Sequence, residues 1–547
     1  MLIRALIVVF AVAVATAWYV TLPPRASIAA PADEATTVRG AIHVHTSRSD
    51  GTGSLDNVAA AAARAGLDFV VFTDHGNATL DPEPPRYRFG VLCIDAVEIS
   101  TRGGHILALG LPRAPYPLGG EARDVLADIA RMGGMAIAAH PGSLKPELQW
   151  ADWTLPVDGI EWLNADSEWR DESPWTLVRA LFAYPGRPTE SVAGLLDRPA
   201  PVLQRWDEML RTRPVVAVAA TDAHARLGFR SLGEPYDNGA SLHLPAYERM
   251  FRVFSNVLPG VVLTGDAAKD AGLVLDAIRS GQLYSRVDAI GPSGTMAFAS
   301  SDASLTVSLA SAPQRPRILL LKDGQEAASS TDSTLTHPTD AAGVYRVEVS
   351  VPGAPGQPPV PWIMSNPIYV GRNGMPAAAP ASPVPSAYES QYSDGSADRW
   401  TVETSPASRG AVDVAPATRG TQLAFRYALG GSARDSAYAA LAMTSGGTLA
   451  RFDRIVFTAN ADRPMRLSVQ LRTPGGQQGE RWQRSVFVGE MPREITVFFD
   501  DMRAAGPTRS ERAPLDTVDS VLFVVDTVNT PLGGSGRVWI DDVKYGR

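Results

Sequence analysis

Cysteine is almost missing from this chain. Cys93 is the single one, which excludes an intrachain disulfide framework and any zinc site built from thiolates. Basic excess is missing too: the formal net charge is −8, against the cationic surface that broad, sequence-independent nucleic-acid binding requires. No apolar run reaches the ~20 residues of a comfortable membrane span. The longest, "ALIVVFAVAVATAWYV" at 5–20, follows Arg4 and precedes a Pro- and Ala-rich stretch. That order fits a secretory signal or an N-terminal anchor plus linker over residues 1–37, with "ATA" (15–17) and "APA" (30–32) as candidate cleavage sites. We therefore expect export, to the periplasm, to its membrane face or into the medium, with membrane contact only through this segment.

What is present is an ordinary globular composition, 45% hydrophobic and 20% charged. At 547 residues the chain exceeds one core and implies about three domains. From 38 to 290, short apolar runs such as "GAIHVHT", "DFVVFTDH", "MAIAAHPG" and "PVVAVAATDAH" alternate with helical patterns. "SLDNVAAAAARAG" is one such helix, with Ser54 as its N-cap and Gly66 as its stop. Repeated β–α alternation predicts a parallel sheet, closed or nearly closed into a barrel. Residues 293–371 change character and read as a small, immunoglobulin-like β-sandwich. A Pro/Ala linker follows over 372–388. Residues 389–547 read as a second sandwich of jelly-roll type.

Histidine is scarce as well. Only eight occur, yet His43, His45, His75, His105, His140 and His224 all fall at predicted strand ends of the first domain. One H-x-H does not distinguish metal ligands from hydrogen-bonded strand residues. Six histidines gathered with Glu98, Asp50 and Asp222 are another matter. In a parallel barrel the strand carboxyl ends line one mouth, and Glu98 stands in apolar company where an unpaired carboxylate is costly. Imidazoles with carboxylates suit zinc, manganese or iron.

The ordered segments "HVH…SDG", "TDH", "VEIS…GGHILALGL", "AHPG" and "TDAH" resemble the successive motifs of the PHP (polymerase and histidinol phosphatase) metal-dependent phosphoesterases. The resemblance covers roughly residues 40–290. It implies a distorted (β/α)7 barrel, two or three divalent ions, and hydrolysis of a small phosphate ester by a water activated at that centre and held by Glu98 and Asp222. By the same resemblance, His43, His45, Glu98 and Asp222 would hold one ion. Glu98 would share a second with His105 and His140, Asp50, His75 and His224 would hold a third, and Asp74 would orient a ligand. "TGDAAKDAGLVLDAIRSGQLYSR" and "PVPWIMSNPIYV" resemble exported PHP proteins with an appended β-sandwich, some of which look like hydrolases of carbamate or other non-phosphate esters.

Lys145 and Arg226 stand near these residues and are candidates to clamp phosphate, or are ordinary solvated cations. Five of eleven tryptophans, Trp150, Trp153, Trp162, Trp169 and Trp175, follow "AHPG" and serve either substrate stacking or core packing. Glu161, in "DGIEWLN", lies on a strand within reach of the site, but it is not counted among the candidate ligands. The terminal "GSGRVWIDDVKYG" resembles the last strand of galactose-binding-like carbohydrate modules, which raises a glycan partner for the C-terminal domain. Three readings thus compete: a phosphoesterase, a carboxyl- or carbamate-ester hydrolase on the same metal site, and a non-catalytic envelope glycan-binding protein.

Overall fold

The computed structural model describes residues 2–24, 37–228, 241–301, 304–313, 315–339, 341–371, 387–393, 395–432, 436–445 and 449–547. Most of the expected 372–388 linker, and the candidate cleavage site at 30–32, lie outside them. The N-terminal apolar run forms helix α1 (Leu2–Thr21), which contains the other candidate site at 15–17. Among the described residues, no helix is long and apolar enough to cross a membrane. The chain divides into two compact units: residues 1–77, 81–112 and 126–376 form the first, and 78–80, 113–125 and 377–547 the second.

The first unit is built on strands β1 (Val38–Val44), β2 (Phe69–Phe72), β3 (Arg86–Arg88), β4 (Val91–Asp95), β5 (Val97–Thr101), β6 (Gly104–Leu109), β7 (Met135–Ala138), β8 (Gly159–Asn164) and β9 (Val216–Ala223). The apolar runs β1, β2, β4, β7, β8 and β9 are almost wholly buried, as parallel strands covered on both faces must be. Parallel pairing runs β4–β2–β1–β9–β8–β7. Helix α2 (Leu55–Ala65) connects β1 to β2. Ser54 caps it by accepting from Asn57 N, and Gly66 ends it at φ 75°, the left-handed conformation that glycine takes without strain.

Strict β–α alternation is not observed. β4, β5 and β6 follow one another without helices, helix α3 (Ala122–Arg131) comes only between β6 and β7, and β5–β6 and β6–β7 pair antiparallel. The 102–103 turn is too short for a crossover helix, which parallel pairing would demand. Gly104, at φ 110°, takes up the reversal. The architecture is therefore mixed, with strands outnumbering helices. An isolated parallel bridge between His75 and Glu98 joins the end of β2 to β5, with Gly76 N donating to Glu98 O at 3.0 Å. The path β2–β1–β9–β8–β7–β6–β5 thereby returns on itself at two candidate ligands.

Ser255–Leu258 adds antiparallel to β1, followed by Tyr284–Arg286. Tyr284–Arg286 then pairs with Ile363–Ser365, so the sheet continues without a break into the small β-sandwich. Its facing sheet is Thr295–Ser300, Ser304–Ala310 and Thr334–Pro338. The core between them includes Val307, Leu320, Val347 and Trp362 and extends to Val257 and Tyr284. Arg346, 1% exposed, makes a two-pronged pair with Asp207 at 2.7 Å on each prong and reaches Glu348 at 2.7 Å. Arg198 also holds Glu348, at 2.7 and 2.8 Å.

The second unit is a β-sandwich of two six-stranded antiparallel sheets. Its last strand, Ser535–Gly546, pairs with Thr421–Ala428, Arg454–Ala461 and Tyr388–Tyr392. Val538, Ile540, Val543 and Tyr545 point from it into the core, so the apolar alternation of "GSGRVWIDDVKYG" is that of a central strand.

Candidate metal centre

Everything here is organised around Glu98 of β5, which is 1% exposed. Its Oε1 lies 2.7 Å from His105 Nδ1 and 2.9 Å from His140 Nε2. Its Oε2 lies 3.2 Å from each of His43 Nε2, His45 Nε2 and His75 Nδ1. Asp222 Oδ1 stands 3.3 Å from both His43 Nε2 and His45 Nε2. Asp50 faces His224 Nε2 at 3.3 Å, His45 Nδ1 at 3.4 Å and His75 Nε2 at 3.7 Å. All nine residues singled out as ligands in the sequence are thus placed together.

Among the described residues, three groups have ligand atoms within 4.8 Å of one another: His45–Asp50–His75–His224, His43–His45–Glu98 and His75–Glu98–His105. His45 and His75 each serve two groups, a sharing that the motif order does not express.

The backbone reaches this geometry by local strain. His43, His140 and Asp222 have φ of 66°, 32° and 44°, positive values that cost non-glycine residues energy and cluster at functional sites. His43 is the irregular residue of β1, where the register to both β2 and β9 shifts between Ile42 and Val44. Two-residue alternation is therefore not what aligns His43 with His45. The bulge re-aims His43, bringing the two Nε2 atoms to 3.0 Å. Thr221 Oγ1 fastens the bulge by donating to His43 O at 2.9 Å. In the "SDG" turn, a Cβ on Gly51 would fall 2.5 Å from His45 O, so only glycine lets the turn close over the ligand strand.

Supporting residues surround the ligands. Glu161 of β8, not counted among the ligands above, accepts from His43 Nδ1 at 2.6 Å and, through Oε2, from His140 N at 2.5 Å and Asn164 Nδ2 at 2.8 Å. Asn164 also donates to Asp222 at 3.2 Å and caps helix α4 (Ala165–Arg170) by accepting from Ser167 N. The sequence did carry a signal for Glu161: a carboxylate between Ile160 and Trp162 on a buried strand needs partners, the argument already applied to Glu98. Tyr247 carried no such signal. Its hydroxyl donates toward His45 O (2.9 Å) and His224 O (3.0 Å) and accepts from Thr52 N (3.1 Å) and Gly53 N (3.3 Å).

Asp74 was expected to orient a ligand. It accepts from Thr46 N, Thr46 Oγ1, Ser49 Oγ and Arg48 Nε at 2.7–3.0 Å. It therefore holds the 46–49 loop, and through Ser49 it reaches His45 Nδ1 and Asp50. Arg226 approaches Asp50 O at 3.5 Å, whereas Lys145 is half-buried in the loop after His140. The tryptophans separate: Trp150 and Trp162 are core, Trp175 is exposed, and Trp169 lines a cavity beside Asp222 and His224.

The charges are strongly coupled. Burial opposes charge on His43, but Asp222, Glu161 and Glu98 outweigh it and hold the imidazole well above its usual pKa. His45 is pushed up to about 10, with burial overcome by bonds to Asp222 and Glu98. Burial likewise opposes charge on His140 and His224, yet Glu98 raises the first, while Asp50 and Asp222 raise the second against His45. Burial alone would raise Glu98, Asp222 and Asp50; the surrounding histidines instead hold all three below the usual carboxylate range. Imidazole nitrogens that converge on shared carboxylate oxygens require a cation between them, a proton or a metal ion. The donor set of nitrogen and carboxylate oxygen fits a borderline divalent ion such as zinc, manganese or iron.

No family model matches the chain, and no curated protein matches it. Similar solved structures include the family 11 carbohydrate-binding module of cellulosomal cellulase Lic26A-Cel5E of Clostridium thermocellum (16% identity, 29% of this chain, 95% of that chain, TM-score 0.26). A structure concerning carbohydrate-binding modules of the β-sandwich superfamily is similar at 15% identity, covering 46% of this chain and 98% of that one, with a TM-score of 0.22. The agarase AgWH50C is similar at 8% identity over 27% of this chain and 24% of that chain, with a TM-score of 0.20. Carbohydrate-binding modules and agarases are thus what this chain is similar to, at TM-scores too low to bear on its chemistry.

Proposed function

We propose that residues 38–290 form an exported metal-dependent hydrolase with a PHP-type barrel and a di- or trinuclear centre, acting most naturally as a phosphoesterase. The observation that carries this reading is the convergence of five histidines on one buried glutamate, Glu98, with Asp222, Asp50 and His224 closing the cluster around His43, His45 and His75. His43, His45, Glu98 and Asp222 would hold one ion, Glu98, His105 and His140 a second, and Asp50, His75 and His224 a third. When bound, the ions supply Lewis-acid polarisation of the ester and a water of lowered pKa.

The chain's own residues do the rest. Glu161 takes the Nδ1 proton of His43 in a hydrogen bond, which leaves the Nε2 lone pair facing Glu98 and Asp222. Asn164 fixes Asp222, and Tyr247 locks the His45 and His224 backbones to the 52–53 turn. Arg226 stands at the mouth, placed to pair with an anionic group.

The test is elemental analysis of the full chain prepared without chelator, with turnover of p-nitrophenyl phosphate, its bis ester and a carbamate ester. Two or three equivalents of metal, and turnover lost in His45→Ala, support the proposal; preference for the carbamate moves it to the non-phosphate ester class. Less than about half an equivalent after reconstitution with manganese or zinc refutes the metal centre. The second reading is a non-catalytic envelope protein that binds glycan through its C-terminal sandwich. It is supported by the resemblance of "GSGRVWIDDVKYG" to galactose-binding-like modules. Affinity electrophoresis of the full chain in soluble β-glucans tests it, and unretarded migration counts against it.

A further inference from the structure

A cavity of about 310 Å³ opens from Asp222, His224 and Arg226 and runs between helices α4, α5 (Pro174–Ala183) and α6 (Pro188–Ala193). At the ligand end it is polar. Away from it the wall is Leu177, Val178, Leu181, Val192, Leu195 and Met250. The polar side chains that also reach this wall are engaged elsewhere. Asp166 holds Trp169 Nε1 and Arg170 Nε at 2.9 and 2.6 Å, Ser191 Oγ donates to Arg187 O at 2.7 Å, and Tyr184 OH accepts from Ala246 N at 3.1 Å. Asp166 and Ser191 are thereby partnered within the protein, and Tyr184 keeps only its O–H to donate. On α5, Val178 and Leu181 are 56% and 53% exposed among the described residues, apolar side chains three residues apart that share one helix face.

We propose that this cavity seats the apolar half of the substrate, so that the centre acts on an anionic ester of a bulky hydrophobic alcohol or phenol. The inference rests on the hydrolase reading above. An apolar cavity of about 150 Å³ holds one benzene ring, so a volume of about 310 Å³ admits a group the size of two fused rings. Continuity with Asp222 and His224 places the scissile bond at the ligand cluster while the ring system lies against Leu177 and Leu195. Arg226, at the junction, faces the anionic end. In hydrolysis of a phosphate monoester, the water oxygen bonds to phosphorus and carries one hydrogen with it. The bond from phosphorus to the alcohol oxygen breaks, and that oxygen takes the remaining proton, leaving phosphate and the free hydrophobic alcohol.

The test has a binding arm and a turnover arm, both on the full chain. Fluorescence anisotropy follows binding of 2-naphthol and of uncleavable 2-naphthylphosphonate to the wild type, to Leu181→Asp at a half-exposed position, and to Leu177→Arg inside the cavity. Turnover of methyl, phenyl and 2-naphthyl phosphate is measured with zinc or manganese supplied. We expect kcat/KM to rise by about tenfold for each added ring, and both variants to weaken naphthyl binding by about tenfold or more and flatten the series. Naphthyl ligands that bind in a variant-sensitive way, with no ester turned over, would uphold the cavity and remove the hydrolase reading. Methyl phosphate cleaved as well as naphthyl phosphate, with naphthyl binding absent or equal in all three proteins, would uphold the hydrolase and overturn the cavity.

Discussion

Replacing Glu161 by glutamine removes one charge and almost no volume, and the structure dictates why it should still cripple the centre. Glu161 Oε1 accepts from His43 Nδ1 at 2.6 Å, while Oε2 accepts from His140 N at 2.5 Å and from Asn164 Nδ2 at 2.8 Å. Every neighbour is a donor, and a glutamine brings an NH2 group of its own. If its oxygen stays on His43, the NH2 faces the His140 N–H and the Asn164 amide. If it flips, the NH2 faces His43 Nδ1, and the ring must carry its proton on Nε2, the atom aimed at Glu98 and Asp222. Either arrangement loses a charge-assisted hydrogen bond, a contribution of about 1.5–3 kcal/mol. Loss of such an orienting partner lowers metal affinity by about 10–100-fold, the same range at about 1.4 kcal/mol per decade. The assay is competition with a chromophoric chelator for zinc or manganese in wild type, Glu161→Gln and the control Glu208→Gln on the helix Ala200–Leu210. The expected order is wild type equal to Glu208→Gln, both well above Glu161→Gln. Equal affinity in all three would show that Glu161 does not set the His43 tautomer, or that His43 binds no metal.

Three further outcomes follow from the same geometry. Tyr247→Phe leaves the His45 and His224 carbonyls and the Gly53 N–H without their shared hydroxyl. It should cost about 1–3 kcal/mol, read as a lower thermal midpoint together with weaker metal binding, and an unchanged midpoint would refute it. Metal and protons should compete. His45 at about 10 lies above its unfolded value, so its stabilising proton is fully present below about pH 6.5 and is lost as pH rises through 10. The depressed Asp50, Glu98 and Asp222 contribute above about pH 4 and lose that contribution on acidification. The metal-free protein should therefore melt higher at pH 6 than at pH 9, with zinc reversing the order, and zinc binding at pH 7 should release protons detectable by calorimetry in two buffers; buffer-independent heats would contradict this. Arg346→Ala strands the Asp207 carboxylate in a buried setting and should cost about 3–5 kcal/mol, whereas adding Asp207→Ala should recover part of that loss in a double-mutant cycle by chemical denaturation. Additive losses would refute the pairing.

Composition and local pattern alone determined a good deal. One cysteine excluded a metal site built from several thiolates. Ser54 and Gly66 bounded helix α2, because capping is a matter of a few adjacent residues. Scarce histidines at the ends of apolar runs marked the site, because buried imidazoles and a lone buried glutamate demand partners wherever the chain goes. What these patterns could not express is pairing between distant segments. Whether β5, β6 and β7 run parallel or antiparallel depends on a two-residue turn at 102–103 and on Gly104. The continuity of the first sheet into the small β-sandwich depends on Tyr284–Arg286 meeting Ile363–Ser365, strands nearly eighty residues apart. His43 joins His45 through a bulge at positive φ, not through strand alternation. Glu161, Asn164 and Tyr247 act only by virtue of neighbours contributed by other elements. Local sequence fixes which groups must be satisfied; the tertiary structure decides with which partners, since a hydrogen bond or a shared carboxylate exists only once segments far apart in the chain are held within about 3 Å.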